Sequence, residues 1–366
     1  MTNAGARTAN SGLASLDDRA LVQRLDSKGL LAMIEALPEQ CAEAWQAAST
    51  FELPEAYRRA RELVVLGMGG SAIAGDIVRS LAAVSGAKPV SGVVRGYDLP
   101  PFIGKETLVV ACSHSGNTEE TLAAFEAALE VGAPVAVVTT GGRLGELAQE
   151  RGLPALQYTF DGGPRSALGH QLMRLLAIAE RAGALDGQDA ALTEAIALMR
   201  EQRAQLGFAS PAERNPAKQL AARLYKRLPA IIGAGPLTDA AHRWKTQLNE
   251  NSKCWALYDE LPELGHNTIV GFGLTRDVVE LLHVVFLWHP ALHPRVLVEY
   301  DVAADELSRE GVSHERVEAK GSTPLAQALT AIYMGDLVSY YLAMLNGVDP
   351  SPVAPIDRLK ARLAAT

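Results

Sequence analysis

The sequence predicts an α/β chain of two similar units, each a parallel sheet flanked by helices. Three observations carry this expectation. Between residues 62 and 183 short β-rich apolar runs alternate with amphipathic helical stretches, the pattern of strands buried on both faces under covering helices. After residue 215 the same alternation restarts. LVVLGMGGS at 63–71 also matches PAIIGAGPL at 229–237, each reading as a strand, a glycine turn and a helix start. A chain of 366 residues is too long for one average domain and suits two packed units.

Residues 1–15 are polar, with no apolar signal core, and read as a disordered tail. Residues 16–60 read as helical. Leu21, Leu25 and Leu30 recur at helical spacing, and Met33, Ile34, Cys41 and Trp45 continue an apolar face past Pro38. The first unit, 61–183, has strand candidates at Leu63–Leu66, Pro89–Val94, Leu108–Cys112, Val135–Thr139 and Leu156–Tyr158, with helices beginning near Ser71, Thr118, Arg143 and Ser166. The Ala- and Gln-rich stretch from Ala184 to Phe208 has no strand signal, so 184–214 reads as a helical bridge. The second unit, 215–345, has strand candidates at Ala230–Ile232, Trp255–Tyr258, Leu281–Trp288, Val296–Glu299 and Arg316–Glu318. Its helices run from Asp239 to near Glu250 and from Pro324 to Leu345. A Pro-rich tail, 346–366, ends in a short helix, Ile356–Leu363.

Composition narrows the class. Hydrophobic content of 48% with 21% charged residues is that of a soluble globular protein. A net charge of -8 gives no electrostatic reason to expect nucleic acid or an anionic membrane as partner. Cys41, Cys112 and Cys254 are widely separated, which suits a reducing cytoplasm and is neither a disulfide framework nor a zinc site. No apolar run is expected to reach membrane length. His283, His289 and His293 are close in sequence, but Pro290 and Pro294 prevent a helix from presenting the last two at i, i+4, so no metal site is expected.

The most informative stretch is TLVVACSHSGNTEET at 107–121. An apolar strand runs straight into a hydroxyl-rich turn, and Asn117 with Glu120 reads as a capping box that starts a helix at Thr118. Unpaired N–H groups, the positive end of the helix dipole and the hydroxyls of Ser113, Ser115 and Thr118 make anion-binding geometry. A dipole contributes about 0.3–2 kcal/mol for an anion, so several donors must converge for useful affinity. The turn Gly67-Met68-Gly69-Gly70-Ser71 has two readings. As a dinucleotide fingerprint it would use Gly67, Gly69 and Ala72 and want an acidic residue at the end of the second strand, where Arg95 stands instead. As a phosphate turn it would use Gly69 and Gly70 for close backbone approach and Ser71 as a hydroxyl donor. In a parallel sheet both turns lie at the carboxyl ends of strands, so two loops converging on one phosphate is the better reading.

Other polar residues have bland readings when taken singly. Glu250 and Lys253 form an i, i+3 surface pair at a helix end, and His266 after Gly265 is a solvated turn residue. Arg165 after Gly162-Gly163-Pro164 starts a helix at the surface, and Lys360 between Arg358 and Arg362 lies on a solvated helix face.

Six segments taken together reverse those readings. GMGGSAIAGD (67–76), SHSGNTEET (113–121), PRSALGH (164–170), RWKTQLNENSK (243–253), PELGHNTIVGF (262–272) and DPSPVAPIDRLK (349–360) resemble, in order, the bifunctional phosphoglucose/phosphomannose isomerases of archaea and bacteria. That family belongs to the sugar-isomerase-domain superfamily, and the resemblance runs from residue 16 to the C-terminus. It implies two sugar-isomerase (SIS) subdomains, each a flavodoxin-like three-layer sandwich, in a homodimer with active sites at the subunit interface. It also implies a phosphate cradle of Ser71, Ser113, Ser115 and Thr118 beside the Gly69–Gly70 backbone. Arg165 would steady charge on the reacting oxygens, and Glu250 would be the general base. His266, reaching the neighbouring chain's site, would open the sugar ring, with Lys360 near the ring oxygen.

The implied reaction interconverts hexose 6-phosphates through a cis-enediol(ate) and requires no metal or redox cofactor. A carboxylate suits the proton shuttle between C2 and C1, a histidine can protonate the ring oxygen, and an arginine stabilises the enediolate. The competing reading is a sugar-phosphate-binding regulator without turnover, but the N-terminal 60 residues offer no basic recognition helix. Trp255, Gly265 and Ser351 stand where the family pattern has Pro, Asn and Thr. Trp255, close to Glu250 in sequence, is expected to narrow the sugar pocket, and Gly265 to loosen the loop carrying His266.

Overall fold

The computed structural model describes residues 13–85, 88–273 and 275–365. The N-terminal segment folds as short helices at Arg19–Leu25 and Leu30–Glu35 and a longer one, α1 (Leu37–Ala48). The breaks have local causes. The Asp26 carboxylate accepts from the Leu30 and Leu31 amides at 2.7 and 3.0 Å, stopping one helix and starting the next. Pro38 sits in the first turn of α1, where its missing N–H costs no intrahelical bond. The tail expected over 1–15 lies outside the described residues as far as residue 12, and Leu13 already packs against the core.

The first unit runs β1 (Glu62–Leu66), α2 (Gly69–Ser85), β2 (Val90–Val94), β3 (Thr107–Ser113), α3 (Glu119–Glu130), β4 (Val135–Thr139), α4 (Gly142–Glu150), β5 (Ala155–Gln157) and α5 (Leu168–Arg181). All its pairings are parallel, in the order β2-β1-β3-β4-β5. Every residue of β3 is buried, which explains a continuous apolar run in place of polar alternation. Leu108, Val110 and Cys112 face the core formed with α2 and α5, while Val109 and Ala111 face Phe125 of α3 and Leu144 of α4.

The helix α6 (Asp189–Leu206) leads to α7 (Pro216–Leu224), and the second unit follows. It contains β6 (Leu228–Ala234), α8 (Thr238–Glu250), β7 (Leu257–Leu261), β8 (Leu282–Trp288), α9 (Pro294–Glu310), β9 (Ser313–Glu318) and α10 (Pro324–Leu345), and the tail carries α11 (Ala354–Leu363). Its parallel sheet has the order β7-β6-β8-β9, which repeats the first four positions of the first sheet. The short similarity between the two glycine turns therefore marks the same topological place, after β1 and after β6.

Two sequence expectations need correction. Val296–Glu299 lies inside α9 and is not a strand. His293 Nδ1 accepts from the Arg295 amide at 3.2 Å, Pro294 opens the helix, and Tyr300, Ala303 and Leu307 are buried at helical spacing. The helix α10 is also long and apolar enough to cross a membrane, contrary to expectation, but it is almost wholly buried. It is the central core helix, packed against α6, α7 and α8.

The units also meet where α2 packs on α8. There Ser80 Oγ donates to the buried Asp239 carboxylate, with Arg79 at 3.9 Å. Burial pushes the Asp239 carboxyl up to about 6, and the nearby Asp76 charge acts in the same direction. A carboxyl raised in the folded state binds more protons there than when unfolded. Stability is therefore lost as pH rises from the ordinary carboxyl value of 3.8 through about 6, so the cost is complete above 6 and absent only below about 3.8. A rise of this size corresponds to about 3 kcal/mol, and Asn can keep the Ser80 bond. Asp239→Asn is expected to gain about 1–3 kcal/mol at pH 7.5 and about a third as much at pH 4.5, read by denaturant unfolding at the two pH values.

Candidate active site

At the end of β3 the chain turns sharply through Gly116. Its φ is +68°, and a Cβ there would lie 1.8 Å from the Gly141 carbonyl oxygen, so the turn admits only glycine. Ser113 Oγ and Thr118 Oγ1 are 2.9 Å apart, and Ser113 Oγ also accepts from the Gly116 amide at 3.1 Å. Ser115 Oγ accepts from the Asn117 amide at 3.2 Å. The expected capping box does not form. Thr118 is the N-cap residue of α3 and makes no side-chain cap bond. Asn117 Oδ1 instead accepts from the Arg143 amide at 3.0 Å, in the first turn of α4, while its Nδ2 donates to the Ser115 carbonyl. Asn117 thus staples two neighbouring helix starts together.

Counting protons shows which hydroxyls can serve a ligand. Ser113 and Thr118 spend one proton on each other, leaving one for an anion, and among the described residues Ser115 Oγ accepts a bond without donating its own proton. Ser71 differs, because its Oγ donates to the buried Gln171 Oε1 at 2.5 Å. Ser71 must turn away from Gln171 before it can donate to a phosphate. Gly69 and Gly70 open α2, whose first N–H groups have no intrahelical partner. Since β1 and β3 are adjacent and parallel, with Leu66 opposite Ala111, the two turns lie side by side. Arg95, which stands where a dinucleotide site wants an acidic residue, is ion-paired with Asp76 of α2.

The two turns abut the loop that carries Arg165. A Cβ at Gly70 would sit 3.0 Å from the Pro164 carbonyl oxygen, and Gln171 Nε2 donates to that same oxygen at 3.1 Å. Arg165 is buried and held on several sides. Its Nε donates to Asn251 Oδ1 at 2.8 Å, and its Nη2 donates to the carbonyls of Pro350 and Ser351, both at 2.7 Å. Nη1 lies 3.5 Å from Glu250 Oε2, a looser contact that leaves this nitrogen able to turn to a ligand. Burial pushes the guanidinium down from its ordinary value, and the Glu250 and Asp349 charges oppose that. Behind it, Arg243 pairs with Asp336 at 3.1 and 2.7 Å and donates to the Arg165 carbonyl at 2.9 Å.

Glu250 is the last residue of α8, with its carboxylate partly open to solvent. The expected pairing with Lys253 is absent. Lys253 Nζ donates to the main-chain carbonyls of Glu250, Pro350 and Pro352. Arg165 and Lys253 therefore grip the same piece of tail, which leaves the Glu250 carboxylate facing Arg165. A cleft of about 460 Å³ runs beside Arg165, lined also by Lys28, Met33, Asp161 and Ser351. That size falls in the range of small-molecule sites.

Two expected residues stand apart within one chain. His266 ends a short 3-10 turn, Glu263–His266, and is exposed. Lys360 is exposed on α11, a helix with no buried residue. Among the described residues neither makes a hydrogen bond to Arg165, Glu250 or a cradle hydroxyl. Trp255 is 76% exposed, so within one chain it does not narrow a pocket. The three clustered histidines have structural partners: His283 bonds Glu315 and Ser313, His289 accepts from the Ala291 amide, and His293 caps α9.

Gln171, Asn251, Arg243 and Asp336 were not singled out from sequence. One signal was available. Arg243 and Gln247 share a helix face with Ala240, Trp244 and Leu248, and a charge on an apolar face implies a buried partner.

The chain is similar to several known proteins. The family described as "Bacterial phospho-glucose isomerase C-terminal SIS domain" matches residues 213–363. A bifunctional phosphoglucose/phosphomannose isomerase of Caldicellulosiruptor bescii is 35% identical over 329 residues, 90% of this chain and 97% of the relative. A protein of the same description from Thermoplasma acidophilum is 34% identical over 306 residues, 82% of this chain and 89% of the relative. A hypothetical protein of Thermus thermophilus shares the fold, with a TM-score of 0.71 at 18% identity, covering 99% of this chain and 96% of that one.

Proposed function

The chain belongs to the bifunctional phosphoglucose/phosphomannose isomerase family, and from that premise we propose that it interconverts glucose 6-phosphate and mannose 6-phosphate with fructose 6-phosphate. One observation carries the reading at the site. Arg165, on a loop packed against the phosphate turns of the first unit, lies 3.5 Å from Glu250 of the second. That contact brings a phosphate cradle, a cation and a carboxylate into one neighbourhood.

In this reading the hydroxyls of Ser113, Ser115 and Thr118 and the amides of Gly69 and Gly70 hold the phosphate, with Ser71 released from Gln171. Glu250 takes the proton from C2 of the aldose and returns it to C1. Arg165 stabilises the negative charge that develops on the oxygens of the cis-enediolate. The enediolate has no stereocentre at C2, so both aldoses pass through the same intermediate. A coupled assay that detects fructose 6-phosphate from each aldose tests the activity. Tight binding of both aldoses without turnover would instead favour a sugar-phosphate sensor.

His266 and Lys360 complete the site in a homodimer, with His266 supplied by the partner chain. Their exposure supports this, as do the exposed apolar residues Trp255 and Val270 and those on α11, Ile356, Leu359 and Leu363. A mixing experiment separates the two arrangements. If Glu250 and His266 of one site come from different chains, co-refolded Glu250→Gln and His266→Asn chains regain about a quarter of wild-type activity, because half the dimers are mixed and each mixed dimer has one intact site. If both come from one chain, no activity returns. The reducing cytoplasm suggested by the three free cysteines suits such an enzyme.

A further inference from the structure

His114 stands between two cradle serines, yet its imidazole points away from the hydroxyls. Its Nδ1 is 3.0 Å from the Tyr158 hydroxyl and its Nε2 is 3.0 Å from the Gly162 carbonyl oxygen. A carbonyl oxygen can only accept, so Nε2 carries the proton, and in the neutral ring Nδ1 accepts from the Tyr158 O–H. The backbone under this ring is fixed as well. The His114 carbonyl accepts from Thr140 Oγ1 at 2.6 Å and from the Thr140 amide at 3.1 Å. The far end of the arm is also anchored, because Tyr158 stacks on His170 and lies under the Arg174 guanidinium, 4.7 Å away. Gly162 precedes Arg165 by three residues. The imidazole is thus a rigid strut from the turn that would hold the phosphate to the loop that carries the cation.

We propose that His114 is a positioning residue that sets Arg165 relative to the bound phosphate, acting through Nε2–H to the Gly162 carbonyl. The inference rests on the isomerase reading of Arg165 and the cradle, and it goes beyond that reading by assigning the spacing between them to one side chain. The strut touches no part of the substrate. Its loss should therefore leave the phosphate donors in place and let the arginine loop shift. A displacement near 1 Å in a positioned group costs up to about 100-fold in rate. Burial holds the ring neutral, since it pushes His114 below the ordinary histidine value.

The test uses the full chain and two variants. His114→Phe keeps the ring and removes both bonds, and His114→Gln restores an amide N–H at the place of Nε2–H. His114→Phe is expected to lose about 10- to 100-fold in kcat with KM changed less than about threefold, and His114→Gln to recover most of that loss. A His114→Phe chain with kcat within about twofold of wild type, a loss confined to KM, or a folded His114→Gln chain as slow as His114→Phe would each overturn the proposal. Nitrogen-15 spectra of histidine-labelled wild type at pH 7.5 test the strut without reference to turnover. A neutral Nε2–H tautomer is expected, and an Nδ1–H tautomer or an imidazolium contradicts the arrangement. If wild type turns over neither aldose, the isomerase reading fails, and the tautomer decides the strut by itself.

Discussion

Glu250→Gln is expected to lower kcat on glucose 6-phosphate by about 10²- to 10⁴-fold, the contribution of one positioned base. Glutamine has the same shape and keeps an acceptor for Arg165 Nη1, which now faces Glu250 Oε2 at 3.5 Å. The Nε bond to Asn251 and the Nη2 bonds to Pro350 and Ser351 do not involve the substituted atoms. Folding stability should therefore fall only modestly, by about 1 kcal/mol, because Glu250 is partly buried and its charge offsets the burial of Arg165, while the acceptor is kept. Binding of fructose 6-phosphate should also survive, because the cradle hydroxyls are untouched. The chemical signature is separate from overall rate: deuterium uptake at C2 from heavy water should collapse with kcat. Uptake at the wild-type rate would remove Glu250 from the proton transfer.

Arg165→Lys is expected to lose about 10²- to 10³-fold in kcat, in the range seen when a charge-stabilising donor is removed. Unlike the Glu250 substitution, this one should also destabilise the fold. The guanidinium serves Asn251, Pro350 and Ser351 at once through a planar fork, and an ammonium cannot match that geometry. Each buried acceptor left without a donor costs about 1–3 kcal/mol, so thermal unfolding should come markedly earlier. Two readouts on one variant separate the roles. A fall in Tm with kcat preserved would make Arg165 a structural clamp for the tail and nothing more. A fall in kcat with Tm preserved would mean that these contacts carry little stability.

The sequence disclosed most where local pattern and burial coincide. Three strands of the first sheet, β1, β3 and β4, were legible as nearly continuous apolar runs, as at Leu108–Cys112, because they are buried on both faces, while the outer strands β2 and β5 were placed by the alternation with helices. The second sheet was less clear. Its edge strand β7 is largely exposed and polar and begins two residues later than its apolar signal, and Val296–Glu299 is β-branched sequence held in a helix by His293 and Pro294. Propensity lost there to a cap and to the buried spacing of Tyr300, Ala303 and Leu307. At the site, the turns after β1 and β3 were readable from glycine and hydroxyl chemistry alone. Glu250 and Arg165 were not, because their meaning depends on a contact across 85 residues of chain. The same holds for Gln171, whose amide joins Ser71 to Pro164, and for Asn117, which caps the next helix and not its own.

The central claim is that one substrate spans the cradle and Glu250, its phosphate at one and its C1–C2 bond at the other. The most direct measurement is a crystal structure of the chain with fructose 6-phosphate bound. The expected result has phosphate oxygens within hydrogen-bond distance of Ser115 and Thr118, and a Glu250 carboxylate oxygen about 3–3.5 Å from C1 and C2, placed to carry a proton from one carbon to the other. A sugar whose phosphate sits at the cradle while C1 and C2 point away from Glu250 in every subunit would contradict it.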